Sequence, residues 1–190
     1  KSYNRASVPG KSIFYGCVGN ELGQDVAIRE ATQWHITDLG TLTSRNLLKD
    51  YQPWSGFACV SIWRVKEPLT LASLFLNQTA MEINPTARHF GGSTLNDNIN
   101  NWDELTEKSK KLILQFFSDE FSRGDIRQER DYFLSAYYAN SVMGVDVPPG
   151  KIDGVVYPSV ALQFRGENVA LSEIAYRKLV RRCRGGGSGL

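Results

Sequence analysis

Histidine is nearly missing from this chain: His35 and His89 are the only 2 in 190 residues. They lack metal-ligand spacing, so neither a zinc centre nor a histidine-based triad is expected, and no metal is assigned. The 3 cysteines, Cys17, Cys59 and Cys183, are widely separated and form no Cys-x-x-Cys pair. That argues against a disulfide framework and a thiolate zinc site, and fits free thiols in a reducing cytoplasm. No apolar run approaches the roughly 18 residues a membrane span needs, and no charged segment followed by an apolar one opens the chain as a secretion signal. A cytoplasmic location is therefore expected, and the sequon Asn77-Gln-Thr79 carries no weight. An excess of one charge is lacking too. With 22 basic and 20 acidic residues the net charge is +2, too mild to imply direct binding of nucleic acid. The basic stretch Lys178 to Arg184 reads as a solvated strand or helix end. Familiar loops are absent as well. Gly10-Lys11-Ser12 would need a glycine where Arg5 stands to be a phosphate loop. There is no Gly-x-Ser-x-Gly elbow, and Gly91-Gly92 does not open a calcium loop.

What is present is an ordinary globular composition, 42% hydrophobic and 22% charged, enough to build a substantial core. Residues 1–184 read as one domain and Gly185 to Leu190 as a flexible linker or appended tail. The abrupt start predicts that part of a natural N-terminus is missing. Ser12 to Val18 reads as a strand after the Pro9-Gly10 turn, and Gln24 to Thr37 as a helix. Phe57 to Val65 reads as a core strand and Leu69 to Phe75 as a weaker strand or helix. Residues 77–101 are polar and read as a loop, with Asn101 or Asp103 capping a helix from Trp102 to Arg123. That helix carries an apolar stripe through Leu105, Ile113, Leu114, Phe116, Phe117 and Phe121, with Lys108 to Lys111 largely on its wet side. A second helix runs from Glu129 to Val142. Strands return at Gly154 to Tyr157, Val160 to Phe164 and Asn168 to Leu171. The pattern predicts an α+β fold with a helical elaboration over about 102–143.

Within this pattern, Glu30 is the residue that most needs a reason. On a helical wheel it falls between Val26 and Trp34 in the apolar arc. A carboxylate there costs several kcal/mol unless it is paired or hydrogen-bonded. A structural ion pair with Arg5 is one explanation and a binding site is another. Tyr15 alone reads as a core aromatic, Ser159 as a turn serine and Arg5 as a solvated cation. As a group, a cation, an aromatic hydroxyl, a carboxylate and a hydroxyl suit a site that holds a dinucleotide and strains a glycosidic bond.

The same residues carry a family resemblance. The text Asn4-Arg5, Pro9-Gly10, Phe14-Tyr15-Gly16, Ala27-Ile-Arg-Glu30, Asp153-Gly-Val-Val-Tyr-Pro-Ser159 and Gly166-Glu-Asn168-Val-Ala-Leu171 resembles the bacterial RES-domain family, named for an arginine, a glutamate and a serine. The motifs cover both ends of the chain and little of residues 38–150. The stretch from Tyr15 to Glu30 is longer than the family's, and the helical middle is larger. The resemblance implies a compact mixed β core similar to diphtheria-toxin-type ADP-ribosyltransferases, and a toxin of a toxin–antitoxin pair that consumes NAD. The implied reaction is cleavage of the nicotinamide–ribose bond with water or inorganic phosphate as acceptor. Transfer of ADP-ribose to a protein, or an inactive RES-like interaction module, are the alternatives. Glu30, Arg5, Tyr15 and Ser159 are the implied catalytic residues, with Arg5, Tyr15, Ser159 and Asn168 on the NAD. Arg5 would grip the pyrophosphate, Tyr15 would meet nicotinamide, and a helix-turn-helix antitoxin is the implied protein partner.

Overall fold

Short apolar runs in β-branched and aromatic residues dictate the central sheet. The computed structural model describes residues 3–19, 27, 28, 30, 60–97, 106–147 and 150–181. Within them four strands form one sheet: β1 (Ile13–Cys17), β3 (Leu71–Ser73), β6 (Gly154–Pro158) and β7 (Glu167–Ser172). Their order is β1-β7-β6-β3, antiparallel except for the parallel β3–β6 pair. β2 (Trp63–Val65) pairs with β8 (Leu179–Arg181), and β4 (Asp146–Val147) with β5 (Gly150–Lys151), each antiparallel. The helices are α1 (Gln78–Ile83), α2 (Pro85–Asp97), α3 (Glu107–Phe121) and α4 (Phe133–Val142), with 3-10 turns at Glu129–Tyr132 and Ala175–Lys178. The arrangement is α+β, as the sequence predicts.

Side chains alternate across a strand, and β6 uses both faces. Val155 and Tyr157 join Phe121 of α3 and Tyr138 and Ala139 of α4 in the larger core. Val156, one residue out of phase, packs with Phe75, Ala80 and Ala87 beneath α1 and α2. Gly154 permits the close β6–β7 approach. A Cβ there would run into the Ala170 carbonyl oxygen and come within 2.8 Å of a Leu171 methyl. Asp153, just before β6, accepts from the Thr70 amide and from Lys178 Nζ, both at 2.8 Å. That buried ion pair ties the basic C-terminal segment to the sheet.

Several predicted elements come out differently. The polar stretch 77–101 is not a loop through its described part, since it folds as α1 and α2. Asn77 caps α1 by accepting from the Ala80 amide at 2.9 Å. Asn84 ends α1 and starts α2, accepting from the Ala87 amide at 3.0 Å, and Pro85 takes the first helical position, where its missing N–H costs nothing. Residues 98–100 and the predicted caps Asn101 and Asp103 lie outside the described residues. The described cap of α3 is Thr106, whose hydroxyl accepts from the Ser109 amide at 3.2 Å. On α3, Phe121 is buried as predicted, but Phe116 is 47% exposed and fully buried Ser118 takes an inward place. Ser118 earns it by accepting the Leu76 amide at 3.2 Å. Lys110 is buried, against the expectation of a wet face through Lys108 to Lys111. Of the predicted strand Phe57 to Val65, only Trp63–Val65 is strand. Residues 60–62 are irregular and 57–59 lie outside the described set. Val160 to Phe164 is a turn, closed by the Ser159 amide donating to the Gly166 carbonyl at 2.7 Å and forced through positive φ at Gln163 (48°) and Phe164 (67°). Of the predicted helix Gln24 to Thr37, residues 27, 28 and 30 are described, and they are helical. Cys59, Cys183 and His35 also lie outside the described residues.

Candidate functional site

Strand parity brings most of the site together. In β1, Ile13, Tyr15 and Cys17 project to one side. Tyr15 opposes Ala170, which opposes Val155, while Cys17 opposes Asn168, which opposes Tyr157. Directly opposed residues share a face of the sheet, and this is the face that carries the larger core. Tyr15, Cys17, Asn168 and Tyr157 therefore form adjacent rows, with Ser159 just beyond the end of β6. Phe14, one residue away from Tyr15, goes to the opposite side, where it meets Trp63 and Tyr176 at 5.6 and 5.4 Å between ring centroids.

Ser159 is held by its backbone. Its amide donates to Gly166, and its carbonyl accepts from the Phe164 amide at 2.8 Å. The turn is braced from outside by buried Asn84, whose Nδ2 donates to the Phe164 carbonyl at 2.8 Å. So fixed, the Ser159 hydroxyl donates to Glu30 Oε1 at 2.8 Å, and Asn168 Nδ2 donates to the same oxygen at 2.6 Å. Hydrogen bonds to a charged acceptor contribute about 1.5–3 kcal/mol each, which is how a half-buried carboxylate is tolerated. No hydrogen bond among the described residues goes to Oε2, and Glu30 forms part of a cavity wall. The Asn168 amide is oriented from behind, its Oδ1 accepting from the Cys17 thiol at 3.4 Å. The reverse orientation would set a carbonyl oxygen against the carboxylate.

The hydroxyls and thiol around Glu30 are held in their protonated forms. Burial, then the Glu30 charge, pushes the Cys17 thiol up to about 12. Cys17 is thus a donor in this network and no nucleophile at neutral pH. Tyr15 is raised well above the usual phenol value, by desolvation first and then by Tyr157 and Glu30. Its overall surface is 41% open, but exposure of the ring does not hydrate the hydroxyl, whose surroundings decide the proton. Tyr157 is also raised, chiefly by burial. Its hydroxyl is fully buried and has no hydrogen-bond partner among the described residues. Tyr15 is close enough to influence that proton yet outside hydrogen-bond geometry.

Arg5 stands at the other side. Its Nη1 donates to the Phe121 carbonyl at 2.7 Å and to Glu120 at 3.5 Å, and its Nη2 donates to the Arg123 carbonyl at 2.9 Å. These are the free carbonyls at the end of α3, where the helix dipole favours a cation. The guanidinium also lies over the Tyr132 ring, 5.3 Å from its centroid. Arg5, Tyr15 and Glu30 line a cavity of about 600 Å³, completed by Tyr3, Asn4, Val160 and the segment Arg127 to Glu129 with Tyr132.

All five residues singled out in the sequence therefore meet around one cavity. Arg5, Tyr15 and Glu30 are on its wall, and buried Ser159 and Asn168 hold Glu30 from behind. Glu30 is not paired with Arg5, so a structural ion pair between them does not explain its burial. Cys17, Tyr157, Tyr132, Asn84 and Arg127 were not singled out. Cys17 and Tyr157 stand two residues from Tyr15 and Ser159, so strand parity could have found them, while the other three depend on tertiary contacts. Among the described residues no group of three His, Cys, Asp or Glu side chains is placed to hold a metal, and no helix is long and apolar enough to cross a membrane. Comparison with protein-family models, with curated proteins and with solved structures finds no match.

Proposed function

We propose that the chain cleaves NAD at the nicotinamide–ribose bond, as a glycohydrolase or phosphorylase of ADP-ribosyltransferase-like type. The observation that carries this reading is the Glu30 carboxylate, held on one oxygen by Ser159 and Asn168 at the wall of a cavity shared with Tyr15 and Arg5. A cavity of this size is within the range of about 300–1,000 Å³ typical for small-molecule sites. The sequence resemblance to the RES-domain family supports the same assignment.

The reaction suits a site built without histidine. The C1′–N bond of NAD breaks heterolytically, its electron pair staying on nicotinamide, which leaves neutral and needs no general acid. The ribose becomes an oxocarbenium-like cation, and an oxygen of water or inorganic phosphate bonds to C1′, releasing or carrying the corresponding proton. Glu30 is negative where positive charge develops, and a fixed charge in a desolvated site stabilises that state without reorganising. Its other oxygen, Oε2, accepts from a ribose hydroxyl. Ser159 and Asn168 keep the carboxylate in place, acting through Glu30. Tyr15, neutral at physiological pH, offers ring and hydroxyl to nicotinamide. A toxin role in the cytoplasm, with a helix-turn-helix antitoxin as inhibitor, belongs to the same proposal and rests on the resemblance alone.

The test is to incubate the purified chain with NAD and follow nicotinamide, with and without phosphate. Nicotinamide release is expected, with ADP-ribose or its 1″-phosphate as co-product. Glu30→Gln should reduce the rate about a hundredfold or more. No release by the wild type, or an unchanged rate in Glu30→Gln, would refute the reading. Stoichiometric ADP-ribosylated protein would replace it with a transferase.

A further inference from the structure

We infer that Arg127, and not Arg5, binds the diphosphate of the dinucleotide, an assignment that rests on the NAD reading of the cavity. Arg5 and Arg127 are the arginines in the cavity lining, and Arg123 lies against Arg5. Arg123 is engaged by Asp125 through Nε at 3.0 Å and Nη2 at 3.3 Å, and by Glu120 at 3.3 Å. Arg5 gives three hydrogen bonds to the carbonyls ending α3 and stacks on Tyr132. Those bonds fix its guanidinium in the wall and direct it at the backbone. Arg127 lines the same cavity as Glu30, and its guanidinium has no hydrogen bond or ion pair among the described residues.

The backbone beneath Arg127 is nevertheless fixed. Asp131 accepts from the Arg127 and Gln128 amides, each at 3.0 Å. The segment is thus pinned at the start of the 3-10 turn that presents Tyr132 to Arg5. Arg5 holds the Tyr132 end of this wall and Asp131 holds the Arg127 end, so a ligand meets a guanidinium on an ordered loop. Glu30 and Glu129 are the carboxylates in the cavity lining. With Arg5 committed to the end of α3, Arg127 is the cation in the lining left to attract the anionic part of a ligand. A planar fork of N–H donors suits two phosphoryl oxygens at once. The chemical class implied is a ribosylated diphosphate with its cationic ring toward Tyr15 and Glu30.

Calorimetric titration of the whole chain with ADP-ribose, inorganic pyrophosphate and nicotinamide riboside tests this. Arg127→Gln should weaken ADP-ribose and pyrophosphate about tenfold or more, leave nicotinamide riboside within about twofold, and leave the melting temperature unchanged. Arg127→Lys should recover part of the affinity, because the charge returns without the fork. Unchanged ADP-ribose affinity in Arg127→Gln would overturn the assignment, as would equal weakening of all three ligands. If that variant binds ADP-ribose normally while the wild type cleaves NAD, only the Arg127 assignment falls. If the wild type binds none of the three, both proposals fall.

Discussion

Asn168→Asp changes one atom in the tightest contact of the site and makes its energetics depend on pH. The donor Nδ2, 2.6 Å from Glu30 Oε1, becomes a carboxyl oxygen at nearly the same place, so packing is unchanged. Two full charges at that separation repel by about 6 kcal/mol at an effective dielectric near 20. The cavity side of Glu30 meets solvent, so we take about half, equivalent to raising one carboxyl from about 4 to about 6. The raised group is protonated in the folded state at a pH where the unfolded chain has already lost that proton. Destabilisation is therefore slight below the unfolded pKa, grows as pH rises through it, and levels off above the folded pKa. The expected cost relative to wild type is about 0.5 kcal/mol at pH 4, about 1.5 at pH 5 and about 3 at pH 8. Below the folded pKa the new carboxyl keeps its proton and restores the donor to Glu30. Urea unfolding of both proteins at the three pH values reads this out directly. A difference that does not vary with pH, or one that shrinks toward pH 8, would show that Asn168 and Glu30 are not in direct contact.

Three other substitutions probe the surrounding frame. Arg5→Gln removes the cation from the end of α3 and should cost about 2–3 kcal/mol in urea unfolding, since hydrogen bonds to charged donors are lost at buried carbonyls; a loss below about 0.5 would show that these carbonyls find other donors. Tyr157→Phe deletes a buried hydroxyl that has no partner among the described residues and should be neutral or stabilise by up to about 1 kcal/mol. A loss beyond about 1 kcal/mol would reveal a hydrogen bond to Tyr15. Gly154→Ala drives a methyl into the Ala170 carbonyl and should lower the melting temperature by about 10 °C or prevent folding, so a variant melting with the wild type would contradict the β6–β7 register.

The strands at the two ends of the chain were legible because their signal is local. Ile-Phe-Tyr and Gly-Val-Val-Tyr are apolar runs bounded by turn residues, and strand parity then follows without tertiary knowledge. Glu30 was legible as a conflict between residue type and helical position. α1 and α2 were not, because their fully buried residues in this core are alanines, Ala80 and Ala87, set among many polar residues. Their boundaries are written in asparagine caps, which look like loop residues until the helix is known. Val160 to Phe164 misled for the opposite reason. Its apolar side chains suit a strand, but the Ser159–Gly166 closure and the Asn84 brace demand a turn, and the brace is a long-range contact. Arg5 could be placed near a site by resemblance, whereas its engagement with α3 arises from residues more than a hundred positions away.

The clamp on Glu30 also has a timetable. Ser159 lies 129 residues and Asn168 lies 138 residues after the carboxylate they hold, and β1 cannot pair until β7, ending at Ser172, has been made. A chain emerging from the ribosome carries Glu30, Tyr15 and Arg5 for most of its synthesis without the donors that organise them. The clamp is complete only once β7 lies beside β1. A nascent or truncated chain ending before Asn168 lacks one of the two donors to Glu30 however well its helices have folded. Synthesis of the chain and completion of the clamp on Glu30 are thereby separated in time by the topology of the sheet.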